Sequence, residues 1–402
     1  MTLPFPSRLL LKPSWVSMGA VFISFAAWLF PSFGILRKGF DYPAHLTFDA
    51  FVVLACWYLL IFLSFSIGEK FGSLWNTRHL VARGSVLDLD SNVVYYAFTV
   101  LTVIGTAATL FRIFHLLTIQ QALIFLSLGE GNSLKEALYE DYSVGFVSLR
   151  YLVLYSAAIA LYRVIRFKSY SLVNVLNLVL LCIGTFVLGS RMIFIATLLT
   201  VLFLLTFNRN TIRISVSKTI MVMALVFLLL SVANYARNKN YYDQNHASFA
   251  VAGISEILAY LGSPFQAAIG SAPVVEQLAA GGDQTYRNYV DEEITLNTNS
   301  AFVHLHEQFG FASWLYIAMV CLFMGLVFQF LLSFGKTILL LPAGGILYGS
   351  AELWRLDLFH QGIFIVWFIL GIGLPAFLIA GKHLFTFMSG GGMSQTTVNQ
   401  DQ

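Results

Sequence analysis

Long apolar runs separated by short polar ones organise most of this chain. About 20 apolar residues are needed to cross a hydrocarbon core roughly 30 Å thick. On that criterion the pattern predicts spans near 14–32, 48–68, 93–114, 145–162, 172–188, 192–207, 219–235, 311–334, 337–350 and 361–381. The run at 337–350 is short and interrupted by Pro342 and the pair Gly344-Gly345. Residues 116–128 are apolar apart from Gln120 and Gln121, a pattern for a segment that lies along the interface or dips in without crossing. Residues 172–207 as one helix would reach about 54 Å, far more than a bilayer holds. A break is therefore predicted at Gly189-Ser190-Arg191.

Only residues 235–310 form a long stretch without this greasiness. The chain thus divides into N-terminal spans (1–234), a large polar loop (235–310), C-terminal spans (311–388) and a Gly/Ser/Thr/Gln-rich tail (389–402) expected to be disordered. The expected fold class is an all-α polytopic membrane protein of about 10 transmembrane helices with one large extracytoplasmic loop.

Composition agrees: 58% of residues are hydrophobic and 11% are charged, against about a quarter charged in soluble domains. The net charge of +3 says less than its distribution. Thirteen of the 23 basic residues, from Arg8 and Lys12 through Lys70, Arg163 and Lys218 to Lys382, fall in tails and short loops on one side. That bias predicts a multi-pass protein with both termini in the cytoplasm and the 235–310 loop outside, which in a bacterium is the periplasm or cell exterior. Arg8 and Lys12 before an apolar run resemble a signal peptide, but without a convincing cleavage site the run reads as a first, uncleaved helix. Cys56, Cys182 and Cys321 each lie in apolar runs and form no CxxC pair or Cys/His cluster, so neither a disulfide framework nor a zinc site is indicated. Phosphate-binding glycine loops, HExxH and GxSxG are absent from the sequence, and nothing points to nucleic acid.

The 235–310 loop gathers the ionisable chemistry: Arg237, Lys239 and Arg287, three histidines (His246, His304, His306) and eight carboxylates. Arg191, at the predicted break, reads either as an anion clamp, since guanidinium binds phosphate through paired hydrogen bonds, or as an interfacial arginine snorkelling to lipid headgroups. Arg237, Lys239 and Arg287 singly read as solvated cations; together with Arg191 they suit a diphosphate. His304, His306 and Glu307 precede the span 311–334. If helical, they put His306 on one face with Val303 and Gly310 and pair His304 with Glu307 on a neighbouring one. Such a His or carboxylate is a candidate general base; a polar helix entry at the water interface is the plain alternative. His-x-His lacks a third metal ligand, so no metal is expected. Tyrosines such as Tyr235, Tyr260 and Tyr286 suit sugar stacking or an interfacial belt. Arg112 with His115, and Arg355 with Asp357 and His360, are further candidates.

Gly-Ser-Arg at 189–191 ends an apolar helix, and Asn-Tyr-Ala-Arg at 234–237 opens the long loop. The loop holds Tyr-Leu-Gly-Ser-Pro-Phe at 260–265, and Asn299 to Gly310 leads into an apolar helix with Trp314 and Gly325. Their order over about half the chain resembles the O-antigen polymerase (Wzy-type) family of oligosaccharide repeat-unit polymerases, among membrane glycosyltransferases of GT-C-like architecture. The related O-antigen ligases carry a His-Asn pair upstream of the glycine corresponding to Gly310, where this chain has Asn299-Ser300, which favours polymerase over ligase. The resemblance implies transfer of a glycan from undecaprenyl diphosphate onto another lipid-linked repeat unit at the outer face of the membrane, building O-antigen or capsule. It implies that Arg191, Arg237 and Arg287 hold the diphosphate, that Glu307, His306 or His304 takes the acceptor proton, and that neither metal nor other cofactor is needed. A repeat-unit flippase and a chain-length regulator are the implied partners, alongside the lipid bilayer. The competing readings are a ligase-like transferase and a polysaccharide or lipid transporter; the latter expects paired halves with broken helices.

Overall fold

The computed structural model describes residues 2–6, 11–29, 44–75, 91–116, 145–187, 190–207, 211–215, 239–244, 248–281, 285–290, 300–335 and 338–390, with isolated positions at 118, 120 and between 217 and 235. Among them, five helical stretches are long and apolar enough to cross a membrane: Phe48–Gly72, Asn92–His115, Phe146–Phe167, Ala312–Ser333 and Gly362–Gly381. Shorter apolar helices cover 13–29, 172–185 and 192–206. Only scattered positions of the expected span at 219–235, of the interfacial segment at 116–128 and of the tail are among the described residues.

We number the helices α1 (Pro13–Leu29), α2 (Phe48–Gly72), α3 (Asn92–Leu116), α4 (Val153–Phe167, preceded by a 3-10 turn Phe146–Leu152), α5 (Leu172–Cys182) and α6 (Arg191–Thr206). These are followed by α7 (Lys239–Gln244), α8 (Phe249–Ser271), α9 (Val275–Gly281), α10 (Ala301–Phe309), α11 (Ala312–Ser333), α12 (Leu340–Glu352) and α13 (Gly362–Gly390). The all-α expectation is amended by one two-stranded antiparallel ribbon, Thr2–Pro6 against Thr211–Ser215, with Pro4 opposite Arg213. A π-helical turn, Ile183–Val187, carries α5 into the predicted break, and α6 begins at Arg191. Such π turns interrupt the regular ladder and often mark functional positions.

The seam between α2 and α11 holds the bundle together. A Cβ on Gly68 would collide with the Leu322 carbonyl, one on Gly72 with the Leu326 carbonyl, and one on Gly325 would sit 2.6 Å from the Phe65 carbonyl. Small residues let backbones approach this closely, the device by which helices associate where lipid offers no hydrophobic drive. Trp57 meets Trp314 with ring centroids 5.2 Å apart, and Trp75 meets Phe330 at 5.5 Å, so the two helices run in the same direction. Alternation requires this of the second and eighth of the ten expected spans. At the Trp75 end of the seam, buried Glu69 accepts the Ser14 N–H at 3.0 Å and lies 3.9 Å from Lys12, fastening the start of α1.

The segment expected as one large loop contains α7 to α10. Its longest helix, α8, packs on α1: Ser24 Oγ donates to the Leu261 carbonyl at 2.7 Å, Trp28 Nε1 donates to Gln266 Oε1 at 2.7 Å, and Phe25 meets Phe265 edge-on. Ser255, Ser263, Gln266 and Ser271 are all buried along it. These polar positions, with Pro264 inside the helix, dilute the apolar signal that identifies a packed helix from sequence.

Candidate functional site

The corner between α10 and α11 is set by Gly310, whose φ of 54° and ψ of −135° are open to glycine and strained for any residue with a Cβ. Ser300 caps the start of α10, its Oγ accepting the Phe302 N–H at 3.3 Å. These two ends fix a nine-residue helix that distributes its ionisable groups over different surroundings.

His306 faces inward. It is fully buried, its ring centroid 5.1 Å from Trp57, 4.4 Å from Phe302 and 6.0 Å from Trp314. Nδ1 lies 2.7 Å from the Phe302 carbonyl, a contact that assigns the proton to Nδ1. Nε2 has no hydrogen-bond partner among the described residues. Burial pushes the imidazole pKa below its ordinary value against the opposing effect of that carbonyl, so the ring is neutral at pH 7. His304 is half-buried and pairs with Gln308 one turn on, Nε2 to Nε2 at 3.1 Å, in place of the expected partner Glu307.

Glu307 instead reaches back across the 235–310 segment. Its Oε1 accepts the backbone N–H of Tyr286 at 3.3 Å, and both residues are buried. Tyr286 belongs to the 3-10 turn Thr285–Asn288, and the next residue, Arg287, carries its guanidinium 5.6 Å from the Tyr286 ring centroid. A carboxylate and an arginine far apart in sequence therefore share one corner. Arg191 is the first residue of α6, a helix packed on α4 and α12. Arg237 lies outside the described residues.

Two groups at buried positions add to this inventory. Arg150, in the turn before α4, is only 6% exposed; its Nη2 donates to Tyr151 Oη at 2.8 Å. Together with Thr106, Leu180, Gly184, Ser190 and Ile193 it lines a small cavity at the α5–α6 break. The signal was present in the sequence as a charge inside an apolar run. The second group closes α12: Glu352 Oε2 accepts both Nε (2.9 Å) and Nη2 (2.7 Å) of Arg355, whose guanidinium lies 4.8 Å from the Tyr260 ring centroid of α8. Asp357, 1% exposed, accepts Tyr316 Oη at 2.8 Å and the Phe359 N–H at 3.1 Å. Burial raises the Asp357 pKa, and these hydrogen bonds oppose the rise. Arg355 and Asp357 stood among the sequence candidates; Glu352 did not.

Among the described residues no group of His, Cys, Asp and Glu is arranged to hold a metal ion. Comparison of the chain with family models, with curated proteins and with solved structures finds no match in any of the three.

Proposed function

We propose that this chain is a membrane glycosyltransferase that polymerises undecaprenyl-diphosphate-linked oligosaccharide repeat units into a surface polysaccharide. The observation that carries this reading is the Glu307–Tyr286 hydrogen bond, which fastens the turn that carries Arg287 to α10. It ties the carboxylate of α10 to the backbone of the residue before Arg287, at a corner formed by the polar segment. Both stand in the stretch whose motif order resembles the Wzy-type polymerases. In this reading Arg287, with Arg191 and Arg237, binds the donor diphosphate and stabilises the charge that develops as it leaves. The acceptor hydroxyl oxygen forms its bond to the sugar C1, the C1–O bond to phosphate breaks, and the hydroxyl proton passes to Glu307. Glu307 is preferred over His306, whose ring is enclosed by Trp57, Phe302 and Trp314, and over His304, which pairs with Gln308.

The test is deletion of the gene, complementation, and electrophoresis of the surface polysaccharide. Loss of the polymer ladder with survival of single capped repeat units supports polymerisation; an unchanged ladder in the deletion strain overturns it. Arg287→Ala lowers polymer yield by about 100-fold, the scale on which a charge-stabilising donor acts. Glu307→Gln keeps an acceptor for the Tyr286 N–H and loses the base, so its ladder disappears while the protein stays folded.

A transporter is the second reading, and one observation favours it. At about 20 Å, α12 is too short to cross the core; buried Glu352 ends it and buried Asp357 stands in the turn that follows. Broken helices with ionisable turns are the habit of transporters. Complete loss of capped product in the deletion strain selects this reading or a ligase.

A further inference from the structure

The turn after α12 also shapes a surface beside the α10–α11 corner. Phe309, the last residue of α10, stacks on Tyr316 of α11 with ring centroids 5.1 Å apart and planes inclined by 27°. Phe309 is 40% exposed and Tyr316 half-buried. The Tyr316 hydroxyl donates inward, 2.8 Å to the buried Asp357 carboxylate. Asp357 is itself fixed by the Phe359 N–H, and the exposed His360 ring stands 6.5 Å from Tyr316, edge to face.

An interfacial-belt tyrosine sits in the apolar layer with its hydroxyl at the water. Here the hydroxyl is tied to a carboxylate inside the protein, so the ring is locked at a set angle beside Phe309. Its neighbours carry hydrogen-bonding groups: His360 beyond it, and His304 with exposed Gln308 on the last turns of α10. An aromatic face bordered by donors and acceptors suits a sugar ring, whose C–H face is apolar and whose rim is hydroxylated. A lipid chain has no use for such a rim.

We propose that Phe309 and Tyr316 form the stacking platform that seats a sugar of the glycan acceptor, with Asp357 as the positioning residue that locks the tyrosine. The proposal rests on the glycan-polymerising reading above and adds to it the acceptor's seat. Glu307, the base assigned in that reading, stands two residues before Phe309 on the same helix.

The test uses the full-length protein in detergent and, as probe, oligosaccharide released by mild acid from the source strain's own surface polysaccharide, with binding read by saturation-transfer NMR and titration. Wild type binds; Phe309→Ala and Tyr316→Ala each weaken binding at least tenfold. Tyr316→Phe and Asp357→Ala, which keep the ring and free it, weaken binding a few-fold. Tyr316→Phe removes one oxygen and Phe309→Ala trims an exposed side chain, so these two variants decide the matter if Tyr316→Ala fails to fold. Binding by wild type together with Phe309→Ala and Tyr316→Ala values within twofold of it overturns the platform and leaves the polymerase reading standing. Wild type that binds no oligosaccharide, in a strain whose deletion leaves the ladder unchanged, overturns both.

Discussion

Adjacent residues on α10, both buried, are held by different partners, and this decides their chemistry. His306 has its Nδ1 occupied by the Phe302 carbonyl and its faces covered by aromatic rings, whereas Glu307 is tied to a separate segment. The consequence for His306 is a stability effect with a definite sign. Its folded pKa lies below the unfolded value of about 6.5. Below that pH the unfolded chain gains a proton that the folded chain resists, so stability falls as pH falls, by at most about 1.4 kcal/mol per pH unit for one site. Thermal unfolding in detergent from pH 7.5 to 5.5 lowers the wild-type midpoint more than that of His306→Gln, which hydrogen-bonds without titrating. Equal slopes for the two proteins refute the assignment. The sequence marks both residues as candidates; it does not say which is enclosed, because that depends on Trp57 from α2, remote in the chain.

Helix α2 shows the same limit at the scale of an element. Gly68 and Gly72 stand one turn apart, the small-residue spacing that lets a partner backbone approach closely. The partner, Gly325 of α11, is fixed only by tertiary structure. The contact is specific enough to predict from. Gly325→Ala sets a methyl 2.6 Å from a backbone carbonyl that has no rotamer to escape with, so the helices must part, at the roughly 1–3 kcal/mol of an overpacked core. Gly19→Ala on α1 meets nothing within 4 Å and gains up to about 1 kcal/mol of helix propensity. Unfolding midpoints of the two variants should therefore move in opposite directions, and a neutral Gly325→Ala would show that α2 and α11 are not in contact. The expected spans that coincide with helices are legible because each is a single apolar run. Helix α8 was hidden because its buried face mixes alanine with serine and glutamine, and Gln266 finds Trp28 and Ala44, both remote in the chain.

For the whole molecule, the same-direction packing of α2 and α11 places the Glu307–Arg287 corner near the Trp57 end of the seam and Lys70 near the Trp75 end. Helix α11, which starts at that corner and carries Phe330 beside Trp75, is about 33 Å long, enough to separate those ends by a full hydrocarbon core, so one measurement of sidedness orients both. The basic residues predict the Lys70 end in the cytoplasm, and the proposed use of donors on undecaprenyl diphosphate requires the Glu307 corner outside. In a background with Cys56, Cys182 and Cys321 replaced, exposed Gln308 and Leu74 are changed singly to cysteine and treated with a membrane-impermeant maleimide. Gln308→Cys labels in intact spheroplasts, and Leu74→Cys labels only after the membrane is opened. The reverse pattern would put the corner in the cytoplasm, where a polymerase of exported repeat units has no substrate, and the enzyme reading would fall even with the fold intact.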